Sequence, residues 1–179
     1  MLTVFSAEAA ELWRLRYFVP TSSESEITFG SRSKAAEKLN TSGHSGNLVF
    51  ANGSGVGYST LRSNGSLEGV SYIFRNDILD ISYTIGNSLS FTFGAGRLIN
   101  GRGELSLNGV SYATENSSGG AVFFNLGIPF IVGELLLGYR QNNIEYKNYQ
   151  SQISGKTVTL ADPVKLLSSQ VSVGLGFIF

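Results

Sequence analysis

Apolar residues recur at every second position through much of this chain. Trp13, Leu15, Tyr17 and Val19 share one side of a segment whose other side carries Arg14 and Arg16. From Ile78 to Ile85, Leu79, Ile81, Tyr83 and Ile85 oppose Asp80, Ser82 and Thr84; after Gly86-Asn87-Ser88, Leu89, Phe91, Phe93 and Ala95 oppose Ser90, Thr92, Gly94 and Gly96. A period of two is that of a strand with one apolar face, and a turn-rich tripeptide between two such runs predicts a hairpin. Val122, Phe124, Leu126 and Ile128 repeat the device, and beyond Pro129 Leu135, Leu137 and Tyr139 stand against Glu134 and Arg140. The final run places Val171, Val173, Leu175, Phe177 and Phe179 opposite Ser172, Gly174 and Gly176.

In the middle, the pattern predicts a strand from Ser54 to Arg62 carrying Val56, Tyr58 and Thr60, then a turn at Ser63-Asn64-Gly65. A strand from Ser66 to Phe74 follows, with Val70, Tyr72 and Phe74 outward, and a turn at Arg75-Asn76-Asp77 leads into Ile78. Asn47 to Asn52 is assigned to the upper part of the second strand, which gives eight strands in all. With both termini at one end, the long connections (20–53, 98–119 and 142–166) all fall at the other, and every connection at the terminal end is a tight turn. A soluble sandwich has no reason to sort its loops this way, whereas membrane barrels do. The expected fold is all-β: an eight-stranded antiparallel up-and-down transmembrane barrel with short periplasmic turns and long extracellular loops.

Composition agrees with strands and turns. The chain of 179 residues has 22 Gly, 12 Phe and 8 Tyr against 3 Pro, and it contains no Cys, so disulfides, thiolate nucleophiles and Cys metal sites are absent. Its 13 basic residues equal its 13 acidic ones, which gives no basic surplus for nucleic acid. No run reaches the roughly 18 apolar residues of a transmembrane helix, a test that leaves β-barrels untouched. Residues 1 to 10, MLTVFSAEAA, join a short apolar stub to Ala7-Glu8-Ala9, the small-x-small spacing of a cleavage site, and are expected to be a signal-peptide remnant before a barrel domain at 11–179.

In its signal-like start, sorted loops, outward aromatics and terminal Phe179, the chain from Glu11 onward resembles the small eight-stranded bacterial outer-membrane β-barrels of the OmpA transmembrane domain and OmpX type. The resemblance implies a bacterial outer-membrane location, a monomer in contact with outer-membrane lipid, and an ending (Val173, Leu175, Phe177, Phe179) read by the outer-membrane assembly machinery. It implies no function by itself, because such barrels serve as anchors, adhesins, small channels and lipid-modifying enzymes.

Candidates for chemistry are few, and no catalytic residue, cofactor or metal site is assigned. His44, the sole His, lies in TSGHSG beside Ser42 and Ser45; a general base next to a Ser nucleophile is outweighed by a polar residue in a Gly-rich loop, because no orienting acid is specified. One His without Cys supplies no metal-ligand spacing. Ser31 to Thr41 is read as a short solvated helix in the first loop. Neither Gly94-Ala95-Gly96 nor Gly101-Arg102-Gly103 has the Lys-Ser/Thr ending of a phosphate loop. SLEGVSY (66–72) and SLNGVSY (106–112) echo each other; the second is read as a hairpin with a type I′ turn at Asn108-Gly109, the first as part of a membrane strand.

The polar residues opposite the apolar faces are more informative. Arg14, Arg16, Asp80, Glu134, Arg140 and Gln170 are expected to form an interior network, with Arg14, Arg16 and Glu134 at one height and Asp80 and Arg140 at a higher one. An eight-stranded barrel is only wide enough for side chains to fill, so paired opposite charges are read as a plug rather than a transport path. Asp77 is expected opposite Arg97 at the rim. The functional expectation is a non-enzymatic structural or surface-interaction protein, adhesin-like, engaging an extracellular ligand through its loops. A narrow channel for small or hydrophobic solutes comes second, and an outer-membrane lipid-modifying enzyme third.

Overall fold

A computed structural model describes residues 13–29, 32–35, 40–67, 69–86, 89–131, 133–153, 156–160 and 162–179. The expected signal remnant at 1–10 lies outside the described residues. Among the described residues the regular elements are strands: β1 (Arg14–Phe29), β2 (Arg32–Ala35), β3 (Asn40–Val49), β4 (Ser54–Leu67), β5 (Val70–Ile85), β6 (Ser90–Leu107), β7 (Val110–Thr114), β8 (Ser117–Phe130), β9 (Gly133–Tyr146), β10 (Tyr149–Ile153), β11 (Lys156–Leu160) and β12 (Val164–Ile178). Eight of them, β1, β3, β4, β5, β6, β8, β9 and β12, form a closed antiparallel barrel. The seam joins the last strand to the first, from Arg14 opposite Ile178 to Phe29 opposite Val164, with a bulge at Pro20/Ser22. Closure leaves the barrel wall no free edge, which is what a sheet needs to sit in lipid.

The alternation reverses its sense part-way along the strands. In the half nearest the termini the large apolar side chains point outward and are exposed: Trp13, Leu15, Tyr17, Tyr58, Leu79, Ile81, Tyr83, Phe93, Val122, Leu135, Leu137, Val173, Leu175 and Phe177. The run from Val171 to Phe179 spans about 20 Å of the barrel axis at about 3.3 Å per residue and about 40° tilt, close to the apolar band of outer-membrane barrels. Beyond that band the apolar residues turn inward. Ile27, Leu61, Phe74, Ile78, Leu105, Ile144, Tyr146, Tyr149, Val164 and Leu166 make a buried core, while Arg62, Arg75, Arg102 and Lys165 face out. One continuous wall is thus a lipid-facing barrel below and a water-facing one above.

This reversal explains where the middle of the chain departs from expectation. β4 runs straight through Ser63-Asn64-Gly65 and β5 through Arg75-Asn76-Asp77, and the turn lies between them, where Leu67 pairs with Val70 and Gly69 has φ +82°. The polar tripeptides resemble turns only because that stretch of wall is solvated. For the same reason Tyr72 and Phe74 face inward, at 6% and 0% exposure. Asn40–Val49 is a barrel strand of its own, not the upper part of the next one, so the count of eight survives with the second and third strands reassigned. The segments expected as three long loops are largely strand: β1 continues to Phe29, β6 to Leu107, and β7, β10 and β11 extend the sheet beyond the barrel. Asn108 and Gly109 have φ of 50° and 79°, as a type I′ turn requires, so the two echoing heptapeptides both form hairpin tips. Of the helix expected over 31–41, Arg32–Ala35 pairs with β1 as a strand and residues 40–41 open β3, while 31 and 36–39 lie outside the described residues; a neighbouring strand edge supplies backbone partners that a short isolated helix lacks.

Candidate functional site: the barrel interior

β1 sends Arg14 and Arg16 inward, one step of the alternation apart, and β9 sends Glu134 across to meet both. Glu134 Oε1 accepts from Arg14 Nη1 at 2.7 Å and from Arg16 Nη2 at 3.0 Å, and Oε2 accepts from Arg16 Nε at 2.8 Å. Ser90 Oγ donates to the same carboxylate at 2.9 Å, Arg14 Nη2 donates to Gly86 O at 3.1 Å, and Arg16 also reaches Thr84 and Thr92. Glu134 is fully buried. Two cations against one anion leave a surplus of charge, which hydroxyls and a carbonyl solvate in place of water. Space for the carboxylate comes from neighbouring glycines: a Cβ on Gly127 or Gly176 would stand 3.1 Å from its oxygens.

A second level lies higher. Arg140 of β9 clasps Asp80 of β5 with both terminal nitrogens, Nη2 to Oδ1 at 2.8 Å and Nη1 to Oδ2 at 3.0 Å. Ser59 Oγ donates to Asp80 Oδ2 at 2.7 Å, Arg140 Nε donates to Asn142 Oδ1 at 3.0 Å, and Asn142 passes the chain on to Ser168 at 3.1 Å. The guanidinium also lies 5.4 Å from the ring centre of Phe123. Gly96 permits this pair, since a Cβ there would collide with the Asp80 carboxylate. Beside the pair, Asn47, Gln170, Phe18 and Asn125 line a space of about 30 Å³. Asn47 Oδ1 and Gln170 Nε2 have no hydrogen-bond partner there, so the space holds an acceptor and a donor with room for about one water.

Above both levels the apolar core closes the bore. The Phe74 ring stacks on Tyr146 at 4.8 Å and on Tyr72 at 6.1 Å, and Tyr146 Oη donates to Asn76 Oδ1 at 2.7 Å. Burial pushes the Tyr146 phenol upward in pKa, so it stays a neutral donor.

The structure therefore brings Arg14, Arg16 and Glu134 together, and separately Asp80 and Arg140. Gln170 is buried next to Arg140 in register but makes no hydrogen bond through Nε2. Thr84, Ser90 and Thr92 complete the lower level; they occupy the polar side of the same alternation and were legible by it. Val173, Leu175, Phe177 and Phe179 face outward on the last strand, and Phe179 exchanges backbone hydrogen bonds with Trp13 at 2.9 and 3.0 Å. Asp77 does not face Arg97: the hairpin register pairs Arg97 with Leu79, the bulge at Asp77/Ile78 adds one further residue, and Asp77 meets Asn100, whose Nδ2 donates to it at 3.2 Å. His44 is exposed on the outer wall of β3, stacked on Tyr17 at 5.9 Å, and hydrogen-bonds neither Ser42 nor Ser45.

No protein-family model and no curated protein matches the sequence. Solved structures match it in shape. Neisserial surface protein A superposes with a TM-score of 0.61 at 13% identity, covering 95% of this chain and 98% of that one. Ail, the attachment invasion locus protein of Yersinia pestis, solved with the heparin analogue sucrose octasulfate, gives 0.53 at 14% identity over 94% and 100%. OprG, an outer membrane protein of Pseudomonas aeruginosa, gives 0.50 at 12% identity over 96% and 97%. With these likenesses, a closed wall of eight strands and an outward apolar belt, the chain has the fold of the small eight-stranded β-barrels of the bacterial outer membrane.

Proposed function

We propose that the protein is a non-enzymatic surface protein whose extracellular half, the part beyond the lipid belt, is a preformed interaction platform carried by a sealed barrel. The observation that carries this reading is the double closure of the bore: two levels of buried ion pairs and, above them, a stacked aromatic core. A bore closed in this way suits an anchor better than a conduit. The platform is strand rather than loop, so binding residues on β6, β7, β10 and β11 are held at fixed spacing before a partner arrives, and less ordering entropy opposes association. The solved structure of Ail with a heparin analogue is consistent with a ligand met at the cell surface. The test replaces the β6–β7 hairpin tip and the connection between β9 and β12 with short turns, at equal surface abundance. Loss of adherence of intact cells to glycan- or protein-coated surfaces is expected; unchanged adherence contradicts the proposal.

A second reading, a lateral path for small hydrophobic solutes, is favoured by one feature. Among the described residues β1 and β3 pair only from Arg14/Val49 to Phe18/Ser45, and Pro20, which lacks an N–H, follows at the wall of the small interior space. Uptake of a hydrophobic dye that ceases when Val19 and His44, the outward residues next beyond the Phe18/Ser45 pair, are replaced by a disulfide pair would raise this reading above the first.

A further inference from the structure

Three arginines stand side by side on the outer wall just above the lipid belt. Arg62 of β4 pairs in register with Arg75 of β5, and Arg75 pairs with Arg102 of β6. All three are exposed and point outward, since Leu61, Ser63, Phe74, Asn76, Gly101 and Gly103 beside them are buried. Like charges directly opposite one another across strands repel and are unfavourable unless something neutralises them.

The protein neutralises them only at one end. Arg102 donates to Glu104 at 3.0 Å and lies 3.9 Å from Glu115. Arg62 and Arg75 have no carboxylate partner among the described residues. The nearest acid on β5, Asp77, accepts instead from Asn100 and faces Thr60. Two adjacent guanidiniums are therefore left with their planar donor edges free, the arrangement that holds a phosphate oxyanion by paired hydrogen bonds.

Height selects the source of that phosphate. Arg62 and Arg75 each lie four residues beyond the last lipid-facing side chain of their strand, Tyr58 and Leu79. At about 2.5 Å of axial rise per residue this is about 10 Å above the hydrocarbon, within the headgroup layer. We infer that Arg62, Arg75 and the guanidinium of Arg102 form a binding site for the phosphorylated headgroup of a lipid in the outer leaflet. The lipid supplies the anion the row lacks and fixes the barrel's depth and rotation at the face formed by β4, β5 and β6. This site lies at the foot of the extracellular half but does not depend on the proposed platform role; it rests only on the membrane placement of the barrel.

The experiment uses the full-length protein in phosphatidylcholine bilayers containing a minor fraction of phosphatidic acid, followed by native mass spectrometry of the lipids retained. Wild type is expected to retain phosphatidic acid over phosphatidylcholine by about tenfold or more, from a single charge-assisted hydrogen-bonded contact. R62Q/R75Q is expected to lose that preference, R62K/R75K to keep part of it, and Lys165→Gln to keep all of it. Heat-modifiable gel migration checks that each variant is folded. Equal retention of the two lipids by wild type, or preference unchanged in R62Q/R75Q, overturns the site. Displacement of the retained lipid by millimolar inorganic phosphate also overturns the lipid assignment and makes the row a site for soluble anions.

Discussion

Replacing Glu134 by Gln removes one negative charge from a place where two positive ones converge. The wild-type carboxylate accepts four hydrogen bonds, from Arg14 at 2.7 Å, from Arg16 at 2.8 and 3.0 Å, and from Ser90 at 2.9 Å. Gln offers one acceptor oxygen and an amide N–H₂ that would point at the guanidinium donors. Arg14 and Arg16, at 4% and 1% exposure, cannot move to water without opening the wall. Leaving a buried ion pair without one partner costs about 3–5 kcal/mol, and the same loss is expected for E134Q. Urea unfolding in lipid vesicles, followed by the fluorescence of Trp13, the sole tryptophan, measures it. Glu145→Gln, on the half-exposed rim, is the comparison and is expected to leave the unfolding midpoint nearly unchanged. In R16M/E134Q the two losses are expected to overlap by about 1–3 kcal/mol, because each single change already breaks the same contacts. A loss below about 1 kcal/mol in E134Q would refute the claim that this cluster is buried and mutually dependent.

Gly96→Ala introduces a Cβ against the Asp80 carboxylate, and is expected to cost about 1–3 kcal/mol by overpacking; no change in the unfolding midpoint would mean the Asp80–Arg140 level is looser than its geometry. Leu137→Arg on the lipid face should cost about 2–4 kcal/mol, whereas Asn143→Arg higher on the same strand should cost little; equal effects would contradict the boundary placed between them. Lys147 donates to the Glu145 carboxylate at 2.8 Å, and this bond, aided by attraction to Lys165 and opposed by desolvation, holds that carboxyl below its usual pKa. The stabilisation is present above the unfolded carboxyl's pKa and fades as pH falls through the folded one, so Lys147→Ala should move the Glu145 titration upward by NMR; an unmoved midpoint contradicts the assignment.

The sequence is most readable where the chain meets lipid. There the outward side must be apolar and the inward side polar, so Leu79 to Ile85 and Leu135 to Tyr139 show both the strand and its orientation, and the residues between them show the interior ion pairs. It is least readable above the belt. In Tyr72, Phe74, Ile144 and Tyr146 the period of two persists, but water has replaced lipid outside and the apolar face looks in, so the same pattern carries the opposite orientation. Periodicity fixes which residues share a face; only the surroundings fix which way the face looks. Ile78 beside Leu79 is the mark of the change, since two adjacent apolar residues belong to opposite faces there. Ser63-Asn64-Gly65 and Arg75-Asn76-Asp77 misled because solvated strands borrow the composition of turns. Asp77 was misplaced for two reasons: the hairpin pairs Ile85 with Phe91, which moves the register two residues from that of a turn of Gly86 to Ser88 alone, and the Asp77/Ile78 bulge, an extra residue that leaves no compositional trace, moves it one more to Asn100.

The central claim is that the bore is closed by paired charges below and an aromatic core above. Single-channel recording of the purified protein in planar bilayers tests it most directly. Wild type is expected to show no steady current, with conductance appearing only in E134Q/D80N carrying a further Tyr146→Ala that opens the upper core. Large, steady wild-type openings unchanged by those substitutions would contradict the closed bore and with it the reading of the barrel as an anchor.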